Sequence, residues 1–133
     1  MKKIFSLLLA IIICMSFVAC SGNNSFSNAR EKIMMVKTGS PFSYPDITYE
    51  EAFNNFFRNP SWEYFEDENK IEMVGFKGEC LYDDVEIEVY IKFALDIENG
   101  TSEITDLSFN NIRQEYDMLV DLIETVFSDE ELY

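Results

Sequence analysis

The stretch Val85-Glu86-Ile87-Glu88-Val89-Tyr90-Ile91-Lys92-Phe93-Ala94-Leu95-Asp96-Ile97 decides the fold. Every odd position is aliphatic or phenylalanine, and the even positions between them carry Glu, Tyr, Lys, Ala and Asp. A strand sends successive side chains to opposite faces, so this alternation predicts one half-buried strand over 85–97. The segment before it can be set in register. With Asp83-Asp84 as a two-residue hairpin loop, Tyr82 opposes Val85, Cys80 opposes Ile87, Phe76 opposes Ile91 and Val74 opposes Phe93. The apolar faces of the two strands then coincide, whereas a slip of one residue would turn one of them to water. The same register sets Glu79 against Glu88 on the outer face, a mildly unfavourable pair.

Downstream, Asn99-Gly100 signals a turn into a last strand near Ser102–Phe109. Its apolar positions, Ile104, Leu107 and Phe109, break strict alternation, which predicts a bulge near Thr105-Asp106. Asn111 followed by Gln114 has the spacing of a capping box, and Tyr116, Leu119, Val120, Ile123, Val126 and Phe127 form the apolar face of a final helix. The acidic tail Asp129-Glu130-Glu131 opposes the helix dipole and is expected to fray.

Upstream, Asp67-Glu68-Asn69-Lys70 turns between a short strand over Ser61–Glu66 and a second strand near Ile71–Tyr82. Thr48-Tyr49-Glu50-Glu51 is a capping box opening a helix whose apolar stripe is Tyr49, Ala52, Phe53, Phe56 and Phe57. Asn59-Pro60 ends it, because a residue before proline is driven from the helical region. Ser21 to Thr38, rich in Ser, Asn and Gly, reads as a flexible tether interrupted by Ile33-Met34-Met35-Val36, with residues 39–133 as the domain. The expected fold is α+β: a single small domain ordered helix, four-stranded antiparallel meander, helix, with both helices on one sheet face.

The first twenty residues give a location. Met1-Lys2-Lys3 is followed by an uncharged apolar run, Ile4 to Val18, too short for a membrane span of roughly 20 residues. Phe17-Val18-Ala19-Cys20 ends it, and here the chain resembles the bacterial lipoprotein signal. That resemblance implies cleavage after residue 19, a diacylglycerol on the Cys20 thiol, palmitate-type acylation and attachment to the cell membrane on its extracytoplasmic side. An uncleaved N-terminal anchor helix is the alternative, and it leaves the domain on the same side of the same membrane.

Removing the leader takes Lys2 and Lys3 with it and moves the formal charge from −15 to −17. Such a surface repels phosphate backbones, so nucleic acid is not an expected partner. Cys14 leaves with the leader and Cys20 is lipidated, so Cys80 has no intrachain partner. The domain must then be held by its core, in which aromatic residues, 15% of the chain, are the largest contributors. The chain has no histidine, which removes Ser–His and Cys–His nucleophile systems and most zinc sites. No cofactor is implied. The pairs Asp67-Glu68 and Asp83-Asp84 lack the twelve-residue calcium loop with its glycine and terminal glutamate, so no metal site is expected either.

Ala52-Phe53-x-x-Phe56-Phe57-x-x-Pro60-x-Trp62-x-Tyr64-Phe65, Gly78-x-Cys80-x-Tyr82 and Leu107-x-Phe109-Asn110 together resemble a family of small uncharacterised bacterial domains on extracytoplasmic, membrane-attached proteins. The likeness runs from about Val36 to Phe127 and implies a fold without an assigned activity. The expected function is a non-enzymatic binding or interaction module held at the membrane through Cys20, with an envelope protein as partner. A small-molecule or cation sensor domain is the alternative. Candidate contact residues are Tyr90 and Lys92 on the outer sheet face and Trp62 and Tyr64 beside the first helix. For Trp62 and Tyr64, packing in the core is the competing role.

Overall fold

The computed structural model describes residues 28–128. The Cys20 site, the leader and the acidic tail from Asp129 onward lie outside the described residues. The order of elements is α1 (Ala29–Lys37), α2 (Tyr49–Phe56), β1 (Arg58–Glu66), β2 (Glu72–Tyr82), β3 (Val85–Asp96), β4 (Thr101–Phe109), β5 (Ile112–Arg113) and α3 (Tyr116–Ser128). The chain is α+β, and its strands form one antiparallel sheet in the order β1-β2-β3-β4-β5.

The β2–β3 register is the one the alternation dictates. Tyr82 pairs with Val85, Cys80 with Ile87, Phe76 with Ile91 and Val74 with Phe93, and Glu79 meets Glu88. Asp83 and Asp84 both have positive φ, 49° and 64°, the geometry of a two-residue turn whose twist matches the strands it joins. In β4 the pairing jumps from Lys92–Asp106 to Phe93–Ile104, leaving Thr105 as the extra residue of the expected bulge. A second bulge lies in edge strand β1, between Arg58 and Ser61, where Asn59 has φ 51° and Pro60 needs no ladder donor. Bulges near both sheet margins hinder pairing with another chain's strand.

Three expectations need correction. Residues 29–37 are not part of a flexible tether. They form α1, started by the Asn28 side chain accepting from the Glu31 amide, and they bury Met35 and Val36. Apolar contact made by one face of a nine-residue helix stabilises what its propensity alone would not. Asn111 caps no helix. Asn110 and Asn111 have φ 49° and 68° and turn the chain into β5, while the Gln114 side chain donates to the Ile112 carbonyl. The described residues therefore form three helices and five strands, where two helices and four strands were expected. Finally, the stripe assigned to α3 is only partly inward. Leu119, Val126 and Phe127 are buried, but Tyr116 is 73% exposed and Val120 44%.

The core lies where the helices meet the inward residues of β2, β3 and β4. Val36, Phe53, Val74, Phe76, Val89, Ile91 and Phe93 are fully buried. Phe53 is its hub, with ring centroids 4.6 Å from Phe76, 5.5 Å from Phe57 and 5.7 Å from Trp62. Its helix starts as expected, the Thr48 hydroxyl accepting from the Glu51 amide at 3.1 Å. Gly78 admits Phe57 to the sheet: a Cβ there would stand 2.8 Å from the Phe57 Cβ.

Candidate functional site

The sequence-derived candidates fall into two places. Trp62 and Tyr64 lie opposite Phe76 and Val74, on the core side of β1. Trp62 stacks on Phe53 at an interplanar angle of 12° and also touches Phe76 at 4.8 Å, so its ring belongs to the core. Tyr64 donates to Glu72 at 2.8 Å, and the Lys32 ammonium sits 4.9 Å from its ring centroid while pairing with Glu72. The hydrogen bonds from Lys32 and then Tyr64 hold the Glu72 carboxyl below its usual range. This cluster ties α1 to the sheet.

Tyr90 and Lys92 lie on the opposite, outer face. Tyr90 is half-buried, its ring over Gly75 and its hydroxyl donating to Glu63 at 2.6 Å. Burial, then the bond to Glu63, pushes its ionisation well above the ordinary tyrosine range. Lys77 faces Tyr90 directly across the ladder, and neither its ammonium nor that of Lys92 enters an ion pair among the described residues.

The acidic turn at Asp67 is occupied by its own backbone. The Asp67 carboxylate accepts from the amides of Asn69 and Ile71, and no group of three acids or cysteines among the described residues is arranged to hold a metal ion. Cys80 is half-buried beside a small recess of about 130 Å³ under α3, and burial raises its thiol pKa. At neutral pH it is a thiol rather than a nucleophilic thiolate.

A larger feature was not among the sequence-derived candidates. A cleft of about 440 Å³ opens between the Pro41–Tyr44 turn, the start of β4 and the outer flank of α3. Tyr49 and Leu119, both buried, lie at its inner side. Tyr116, Val120 and Ile123 supply one wall, Ser102 and Ile104 another, and the fully exposed Phe42 stands at its rim. The turn is clamped in place: Tyr44 stacks on Phe127 at 5.4 Å, its amide donates to the Pro41 carbonyl, and the Tyr49 amide donates to the Gly39 carbonyl at 2.9 Å. The two stripe residues that α3 withholds from the core, Tyr116 and Val120, are therefore cleft residues. The sequence carried a signal for this. With Met118 and Leu122 included, the apolar arc of α3 spans about 200° at the helical period, wider than one neighbouring layer covers.

No family model matches this chain, and neither a curated protein nor a solved structure matches it.

Proposed function

We propose that the protein is a membrane-tethered, extracytoplasmic binding module without catalytic activity, lipidated on Cys20 and receiving its ligand in the cleft beside α3. The leader and the Ala19-Cys20 junction support the anchor. No helix among the described residues is long and apolar enough to cross a membrane. The observation that carries the binding reading is the cleft. Its volume lies in the roughly 300–1,000 Å³ range of small-molecule sites. Its walls are mainly apolar and aromatic, with a few hydroxyls and a carboxylate to fix orientation. A concave site of this size suits a small ligand, or the protruding group of a larger envelope component, better than a flat protein interface.

The outer sheet face is the second candidate surface, because Tyr90 lies beside Lys77 and Lys92, neither of which enters an ion pair among the described residues. Two variants separate the surfaces in cells: Tyr116→Ala with Val120→Asp in the cleft, and Tyr90→Ala with Lys92→Glu on the sheet. Loss of cellular association in the first alone supports the cleft, and loss in the second alone moves the site to the sheet. Metabolic labelling with a fatty acid tests the anchor. Label on the wild type but absent from Cys20→Ser is expected, and equal label on both would remove the lipoprotein reading.

A further inference from the structure

We propose that the β2–β3 hairpin end of the sheet is a docking surface separate from the cleft, and that it receives a basic protein segment carrying apolar anchor side chains. At this end the sheet extends beyond the cover of the helices. Tyr82 pairs with Val85 and Phe109 with Ile112, and the rings of Tyr82 and Phe109 lie 5.8 Å apart, so all four residues share the face that carries the core. Yet Tyr82 is 45% exposed, Val85 61% and Ile112 67%. Behind Tyr82 and Phe109 lies the recess of about 130 Å³, lined further by Phe56, Met118 and Leu122. It falls below the roughly 300–1,000 Å³ of small-molecule sites but has room for one aliphatic side chain. An exposed apolar patch with a pocket at its margin is the form that receives the anchor residue of a protein partner.

The charge around the patch selects its occupant. Asp121 lines the recess from α3, and no lysine or arginine does. Asp83 and Asp84 close the hairpin between Tyr82 and Val85, and Glu79, Glu86 and Glu88 stand on the reverse face of the same two strands. The two arginines at this end, Arg58 and Arg113, are engaged by Glu86 and Asp106, which leaves the other acids without an ion pair among the described residues. A second copy of this chain would bring the same acids against them, and an anionic bilayer would be repelled likewise. The bilayer is also at the wrong end. The helix nearest the lipid proposed on Cys20, α1, is tied by Lys32 to Glu72 at the start of β2, whereas Tyr82 ends that 11-residue strand. At the rise of a strand the two ends lie about 33 Å apart. A protein segment whose lysines or arginines flank two or three apolar side chains matches both the acidic surround and the apolar centre.

The test titrates the full-length protein, held in phosphatidylcholine nanodiscs, with three acetylated and amidated heptapeptides. They are Lys-Lys-Leu-Phe-Leu-Lys-Lys, its counterpart with Glu for every Lys, and its counterpart with Ser for Leu and Phe. Methyl NMR signals of Val85, Ile112 and Leu122 and the ring signals of Tyr82 report occupancy. The expected result is saturable shifts with the first peptide only. Binding should weaken about three- to tenfold in Asp83→Asn/Asp84→Asn, a loss of the size exposed charges give. It should weaken at least about tenfold in Val85→Ser/Ile112→Ser, which removes the apolar patch and leaves the charge unchanged. Asparagine tolerates the positive φ of the turn and all four substituted residues are exposed, so both variants are expected to keep the fold, which the signals of Phe53 and Phe93 verify. Equal binding of the acidic peptide, or no change in the asparagine variant, would overturn the basic partner. Equal binding of the serine peptide, undiminished binding by the serine variant, or no shift at these residues with any peptide would overturn the surface itself. The cleft reading is untouched by either result, because its reporters are Val120 and Ile123.

Discussion

Tyr90 lies across Gly75. A Cβ on Gly75 would stand 2.2 Å from the Tyr90 hydroxyl oxygen, which itself bonds Glu63 at 2.6 Å on the far strand. One ring thus spans β3, β2 and β1 on the outer face, covering a glycine that would otherwise leave the ladder bare. Any methyl group on Gly75 must displace that ring.

Gly75→Ala should therefore destabilise the protein by about 1–3 kcal/mol, the range for overpacking. In a Tyr90→Ala background the same change should cost at least about 0.5 kcal/mol less. Urea denaturation of the four-member cycle measures this. Strict additivity would mean that the ring and the glycine are not coupled.

Asp84→Gly should stabilise the β2–β3 hairpin by about 0.5–1 kcal/mol, because φ at this residue is 64°, where glycine escapes the penalty of an L side chain. A lower urea midpoint in the variant would show that the Asp84 side chain does more for the folded state than its backbone strain costs.

Val36→Ala should cost about 1.5–3 kcal/mol, since Val36 is fully buried in the shared core. If 29–37 were an undocked tether, the same substitution would change stability by less than about 0.5 kcal/mol. The urea midpoint separates the two.

The Lys32–Glu72 pair gives a pH dependence of known sign. Glu72 has a folded pKa below its ordinary 4.5, so its contribution is complete above that value and is lost as pH falls through the folded pKa. Lys32 is shifted the other way, raised above 10.5 chiefly by its bond to Glu72, so its contribution is lost only as pH rises through that folded value. The side chains are 13% and 29% exposed, so water screens the pair only in part. Glu72→Gln should flatten the acid limb of a stability-versus-pH curve, and an unchanged acid limb would assign acid lability to other carboxylates.

Much of the sheet was legible because strand physics is local and binary. Alternation over Val85–Ile97 and a two-residue loop leave one register for β2–β3, and the misplaced Ile104 and Leu107 announce the bulge. What was not legible depends on contacts between distant segments. The nine-residue α1 buries only Met35 and Val36 and sits among polar residues, so nothing in its own sequence outweighs the tether reading. Asn111 and Gln114 have capping-box spacing, yet the left-handed pair Asn110-Asn111 turns the chain first, and two residues of β5 are too few to show a period. For the site, Trp62 and Tyr64 read as groove or core, and packing on Phe53 and bonding to Glu72 decide for structure. The cleft needs the Pro41–Tyr44 turn brought against α3, a tertiary relationship that no motif encodes.

The most direct test places a photo-crosslinking residue at Val120 in cells, with a second variant carrying it at Lys77 on the outer sheet face, and reads the modified peptides by mass spectrometry. The expected result is a discrete added mass at position 120, absent at position 77 and abolished by Tyr116→Ala. Equal modification at the two positions, or an unmodified peptide at 120 alongside a discrete adduct at 77, would contradict the cleft as the binding site.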